Sequence, residues 1–224
     1  MGPVRSRTGA SIAQVLAESP IIPAVWRDGT LAAALETPCR LIHLAGGRLS
    51  ELVGCLGAIH QEGRLALVHL DMFAGLGKDA EAASYVLERL GADGIVSASP
   101  GVVQKAVSLG RWGILRVFVH DSQSMESGRQ LMVKATPSAV ELMPGLVVGH
   151  VLSSFAPAGS PPVIAAGLIK TPEQAAELLG QGVTGIDTSA ARLWRWGWRS
   201  LQSDRGTALA TAAAVSCREG LAKF

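Results

Sequence analysis

The residue types able to do chemistry gather where apolar runs end. Asp71 follows Leu65–Leu70, Ser97 and Ser99 follow an apolar stretch from Gly94, Asp121 and Ser122 follow Ile114–Val119, and Thr188-Ser189 closes the last run. Arg116 and Glu141 stand inside apolar runs of their own. A charge in such a setting costs several kcal/mol unless it is paired, so these two are expected to meet, directly or through a ligand. Asp71 can accept a ligand hydroxyl. Asp71, Arg116 and Glu141 together suit a polyol, and Asp71 or Glu141 is also placed to act as a general base.

A second group suits a phosphate. Such an anion needs several convergent N–H donors, which glycine offers by close backbone approach and a helix start reinforces. Ala166-Gly167 and Thr188-Ser189 supply a glycine turn, two hydroxyls and the beginning of a helical segment. The stretch Asp71–Asp79 contains Gly75, Gly77 and Lys78 and reads as a mobile loop able to bring a cation over a pocket. Equally it is a solvated loop ending in a helix cap. His43 and His69 lie within apolar runs and read as hydrogen-bonded core histidines. No HExxH, nucleophile elbow or carboxylate–histidine spacing is present, so no metal and no cofactor is expected.

From Arg192 to Arg199 three Trp alternate with three Arg. Arg192, Arg195 and Arg199 can contact phosphates while the rings stack on unpaired bases, as single-stranded or looped RNA requires. The other reading is an amphipathic helix whose Trp side chains pack on the protein or on a second copy of it.

These groups need a scaffold that brings distant run ends together. Eight short apolar runs recur along the chain: Ile21–Trp26, Arg40–Leu44, Leu65–Leu70, Gly94–Ser97, Ile114–Val119, Ala139–Met143, Pro162–Ala166 and Gly185–Thr188. Helical patterns separate them. Asp79–Leu90 has an apolar stripe behind an N-cap, Arg48–Glu62 carries another, and Thr171-Pro172-Glu173-Gln174 has capping-box spacing with Pro at the first turn. Eight strand–helix alternations predict a single-domain α/β fold, a TIM (β/α)8 barrel over 20–198. Residues 1–19 read as a partly helical or mobile lead, with a short helix at Ser11–Glu18. Residues 199–224, with an Ala-rich Thr207–Val215, read as an extension. In such barrels functional groups gather at the C-terminal ends of the strands, with phosphate favoured after strands seven and eight.

Composition narrows the class. The chain has 224 residues, 48% apolar, 17% charged, with net charge +2 from 20 basic and 18 acidic residues. This excludes a disordered or fibrous protein and leaves any nucleic-acid contact to a local patch. The apolar runs are too short to span a membrane. Cys39, Cys55 and Cys217 form neither a metal pair nor a disulfide framework, which fits a reducing, cytoplasmic setting.

The ordered set of motifs resembles the glycerol-3-phosphate responsive antiterminators. It comprises Pro20-Ile21-Ile22-Pro23-Ala24-Val25, Val68-His69-Leu70-Asp71 with Gly75-Leu76 and Asp79, Ala92-Asp93-Gly94-Ile95-Val96-Ser97, Arg116 with Phe118, Asp121 and Ser122, Val140-Glu141-Leu142-Met143-Pro144-Gly145, Ala165 with Gly167-Leu168-Ile169, and Thr188-Ser189 with Leu193-Trp194. The resemblance runs from about residue 20 to 196. It implies a TIM barrel, glycerol 3-phosphate or a related phosphorylated metabolite as effector, an mRNA leader as partner, and no catalysis. It places phosphate at Ala166, Gly167, Thr188 and Ser189, and glycerol near Asp71, Arg116 and Glu141. The segment beyond Trp196 has no counterpart in the family, and two positions depart from its pattern. Ser99 stands where a Lys is common, and Ala166 replaces the first of two glycines, where a left-handed backbone would cost Ala about 1 kcal/mol. The alternative activity is a phosphate-handling barrel enzyme, isomerase or lyase, with Asp71 or Glu141 as base.

Overall fold

Short apolar strands separated by helices cannot pair as hairpins, so they pair in parallel with a helix crossing over each connection. In the computed structural model, which describes residues 9–26 and 30–196, eight such strands close into a barrel. They are β1 Ile21–Val25, β2 Leu41–Leu44, β3 Leu65–His69, β4 Gly94–Ser97, β5 Trp112–Phe118, β6 Ala139–Met143, β7 Val163–Ala166 and β8 Gly185–Thr188. Neighbours follow chain order and β8 pairs β1, with Ile22 beside Asp187 and Pro23 beside Thr188. The expected TIM barrel is the observed fold.

Alternation along each strand separates two cores. Ile42, Ala66, Val68, Ile95, Leu115, Val140 and Ala165 pack under the helices, with Leu52, Leu56 and Val103. The other parity builds a smaller core from Ile22, Leu41, Leu67, Val96, Ile114, Ala139 and Ile164. Helix α1 (Ile12–Glu18), started by a Ser11–Gln14 capping box, adds Ile12, Val15 and Leu16 to it. The helix therefore closes the N-terminal end of the barrel. At Gly185 an added Cβ would stand 3.0 Å from Leu16 Cδ2, so glycine permits that approach.

Two residues further along, the interior parity turns polar. His43 follows Leu41, His69 follows Leu67, Arg116 follows Ile114, Glu141 follows Ala139 and Asp187 follows Gly185, all buried. The residue preferences that build a dry core at one level thus build a charged floor at the next.

The remaining helices are α2 (Thr30–Leu35), α3 (Leu49–Gln61), α4 (Ala80–Ser84), α5 (Pro100–Ser108), α6 (Ser122–Ala135), α7 (Val148–Phe155), α8 (Pro172–Gly180) and α9 (Ala191–Trp194). The helix expected over Asp79–Leu90 is α4 followed by a π turn at Tyr85–Arg89, where Leu90 N–H reaches back to the Tyr85 carbonyl. β5 starts at Trp112, two residues before its expected start. Among the described residues no helix is long and apolar enough to cross a membrane. Arg199, the segment Thr207–Val215 and Cys217 lie outside the described residues.

Candidate functional site

A cavity of about 660 Å³ opens at the C-terminal ends of the strands. His43, Arg116 and Asp187 line its floor, Gly167, Thr188 and Ser189 one side, and Lys170 and Arg192 its rim. Trp26, Met143 and Leu168 provide apolar wall.

The floor is one network with a second pair beside it. Arg116 and Glu141 are register partners on β5 and β6, and Arg116 Nε donates to Glu141 Oε2 at 2.5 Å. The expected meeting is therefore direct. Arg116 also contacts His69 Nδ1 at 3.1 Å through a guanidinium NH2 group. Since guanidinium can only donate, Nδ1 accepts and His69 carries its proton on Nε2. Burial first, then the Arg116 charge, lowers the His69 pKa to about 3. His43 Nδ1 lies 2.6 Å from Asp187 Oδ2, and burial above all lowers its pKa to about 4. Both imidazoles are neutral at neutral pH. Burial pushes Glu141 up to about 7 against the pull of Arg116, with Asp187 adding to the rise. Burial also raises Asp187.

Asp71 stands at the edge of this network, its Oδ2 3.9 Å from His69 Nε2. It accepts Ser97 Oγ at 2.9 and 3.0 Å and the Ala98 N–H at 2.9 Å. These bonds tie the β3 end to the β4 end. Asp71 and Glu141 do not line the cavity, whereas Arg116 does.

On the phosphate side the left-handed residues are Gly167 (φ +80°) and Leu168 (φ +64°). Ala166 ends β7 in extended backbone, so the strain expected at Ala166 falls two residues later, on the non-glycine Leu168. A left-handed leucine costs about 1–2 kcal/mol, and such strain concentrates at functional sites. Thr188 Oγ1 donates to the Ile169 carbonyl at 2.8 Å and accepts Ala190 N–H at 3.1 Å, so its hydroxyl holds two loops together. Ser189 is exposed at the mouth. Helix α9 is a single turn, and its start adds N–H groups rather than a long dipole.

Cations at the rim escaped the sequence reading. Lys170 had no assigned role, and Arg192 read as an RNA contact. In the fold, Arg192 Nε donates to the Lys170 carbonyl at 2.6 Å, and both side chains border the cavity beside Gly167 and Ser189. Ser99, where a Lys was expected from the resemblance, starts α5 outside the cavity. Arg195 pairs with Glu36 at 2.6 Å on the surface. Trp194 is buried and donates Nε1–H to the Thr188 carbonyl at 2.7 Å, which is the packing role. The loop holding Gly75 and Lys78 lies off the cavity. Its Phe73–Ala74 forms a two-residue parallel ladder with Gly47–Arg48, and Asp79 caps α4 through Ala82 N–H. Asp187 was the other omission, and His43, read as a hydrogen-bonded core histidine, is one that also lines the cavity: the inward parity of both depends on barrel register.

The barrel with this set of strand-end residues matches a family model, described as glycerol-3-phosphate responsive antiterminator, over residues 21–194. The chain belongs to that family. A Thermotoga maritima glycerol uptake operon antiterminator-related protein is 31% identical, with TM-score 0.70 over 79% of this chain and 98% of that one. The glycerol uptake operon antiterminator regulatory protein of Listeria monocytogenes is 28% identical, with TM-score 0.69 over 75% and 91%. An uncharacterised Escherichia coli protein, YgcP, is 26% identical over 183 residues, 80% of this chain and 94% of its own. The antiterminator family shares its barrel with aldolases: an Aeropyrum pernix deoxyribose phosphate aldolase superposes with TM-score 0.62 at 19% identity, over 87% and 94% of the two chains. That likeness is one of fold.

Proposed function

We propose that the chain is a glycerol 3-phosphate-responsive regulator that binds an mRNA leader and prevents transcription termination in the cytoplasm. The observation that carries this reading is the cavity's polarity. Its rim sets Lys170 and Arg192 beside the left-handed Gly167–Leu168 turn and the Ser189 hydroxyl, and its floor offers Arg116, His43 and Asp187. A phosphate fits the first set and vicinal hydroxyls the second. Arg192 is both exposed and at the cavity edge, so a ligand that draws it inward alters the surface an RNA meets. Coupling of that kind needs effector affinity to differ between two states.

Thermal denaturation with glycerol 3-phosphate, against glycerol and inorganic phosphate, tests the effector. At about 100 times its Kd a ligand adds roughly 2.7 kcal/mol, or several degrees in Tm for a chain of this size. RNA-leader binding with and without effector follows. Salt-independent or undetectable RNA affinity in both states would remove the RNA half of the reading.

A second reading is a phosphate-handling enzyme, favoured by a Glu141 carboxyl that titrates near neutrality, as a general base should. Against it, Glu141 is held by Arg116, and no barrel strand carries a Lys for Schiff-base chemistry. Turnover of a sugar phosphate, lost in Glu141→Gln, would decide for it.

A further inference from the structure

The cavity floor holds more carboxylate than cation. Arg116 is the one charged base among the described floor residues, and Glu141, Asp187 and the nearby Asp71 surround it. The imbalance is concentrated at His43, Glu141 and Asp187. One oxygen or nitrogen from each lies within 4.8 Å of the other two, and all three residues are buried. His43 and Asp187 side chains are 0% and 5% exposed and both face the cavity. After their mutual contact, His43 Nε2 has no hydrogen-bond partner in the protein, and the Asp187 carboxylate faces only a second carboxyl, that of Glu141. A buried polar atom left without a partner costs about 1–3 kcal/mol, as does a carboxylate set against another carboxyl with one proton between them.

We propose that His43, Glu141 and Asp187 bind one divalent transition-metal ion, Zn²⁺ or Mn²⁺, at the base of the cavity, between its His43–Asp187 lining and the Glu141 carboxylate beneath. One imidazole and two carboxylates are a donor set that such ions accept, with water from the cavity completing the shell. Arg116 occupies Glu141 Oε2 and leaves Oε1 for the ion, orienting that carboxylate as an outer partner. Ligands about 2.1 Å from a tetrahedral ion stand about 3.4 Å apart. Binding through the unpartnered His43 Nε2 and through Asp187 Oδ1 keeps the 2.6 Å Nδ1–Oδ2 contact as a support for both ligands and draws the ligand atoms in toward the ion. No sequence spacing announces this set, because its members come from β2, β6 and β8. The inference goes beyond the effector reading and is tested without an effector.

The full chain, stripped with a chelator and then dialysed, is titrated with Mn²⁺ alone and followed by electron paramagnetic resonance. Zn²⁺ titration is followed by calorimetry. The expected result is one ion per chain, with nitrogen coupling from one imidazole in the Mn²⁺ spectrum. Asp187→Asn and His43→Gln should each weaken binding roughly 10- to 100-fold or more. His120→Gln, at an exposed imidazole, should bind as the parent does. Failure of either ion to bind at millimolar concentration would overturn the proposal. So would equal binding by the variants, or a Mn²⁺ spectrum without nitrogen coupling. Should the variants not fold, the coupling in the parent chain still decides.

Discussion

Arg116 and Glu141 sit opposite one another on adjacent strands, and their side chains meet at 2.5 Å inside the barrel. Removing one partner leaves the other buried and uncompensated. Arg116→Gln should therefore lower unfolding free energy by about 3–5 kcal/mol, while Arg116→Met with Glu141→Leu recovers most of it. Urea denaturation of the single and double variants measures the difference. Both should lose effector binding, because Arg116 lines the cavity.

Asp71 acts differently. Its carboxylate accepts from Ser97 and Ala98 and does not line the cavity. Asp71→Asn puts an amide donor against those donors and should cost about 1–3 kcal/mol with the effector Kd nearly unchanged. A large affinity loss at parental stability would instead place Asp71 on the ligand.

Gly167→Ala should weaken effector binding more than folding. At φ +80° Ala costs about 1 kcal/mol, and its Cβ would meet Met143 Cε at 2.8 Å. Met143 can swing aside, so the damage falls on the turn. Calorimetry with glycerol 3-phosphate, beside a melting curve, separates the two effects.

His69 makes the fold acid-sensitive. Its folded pKa of about 3 lies below the unfolded value of about 6.5. In that window the unfolded chain takes up a proton the folded one refuses, so the contribution present above pH 6.5 is lost as pH falls. Compared with His69→Gln, the parent should lose about 2 kcal/mol more between pH 6.5 and 5. Matching stability–pH profiles would show that His69 gains a partner for its proton.

Strand positions were legible because each parallel strand, covered on both sides, reads as a continuous apolar run. The Arg116–Glu141 pairing was legible because two charges inside such runs have few other ways to persist. Asp187 and His43 were not, since only barrel register reveals that they share the interior layer with Arg116. That Lys170 and Arg192 share the cavity rim was not legible for a related reason: 22 residues separate them, and the Arg192 bond to the Lys170 carbonyl brings them together. The π turn at Tyr85–Arg89 has the same apolar spacing as the α-helix it continues, so periodicity could not signal it.

Helix α1 and the dry core above it close the lower end of the barrel, and that makes the cavity a well opening toward the C-terminal ends of the strands. Anything seated over Trp26, Leu168 and Arg192 acts as a stopper and retains the contents without touching them. Entry then comes before capping and departure after uncapping. A small molecule bound inside would report, by its dwell time, how long the larger partner stays.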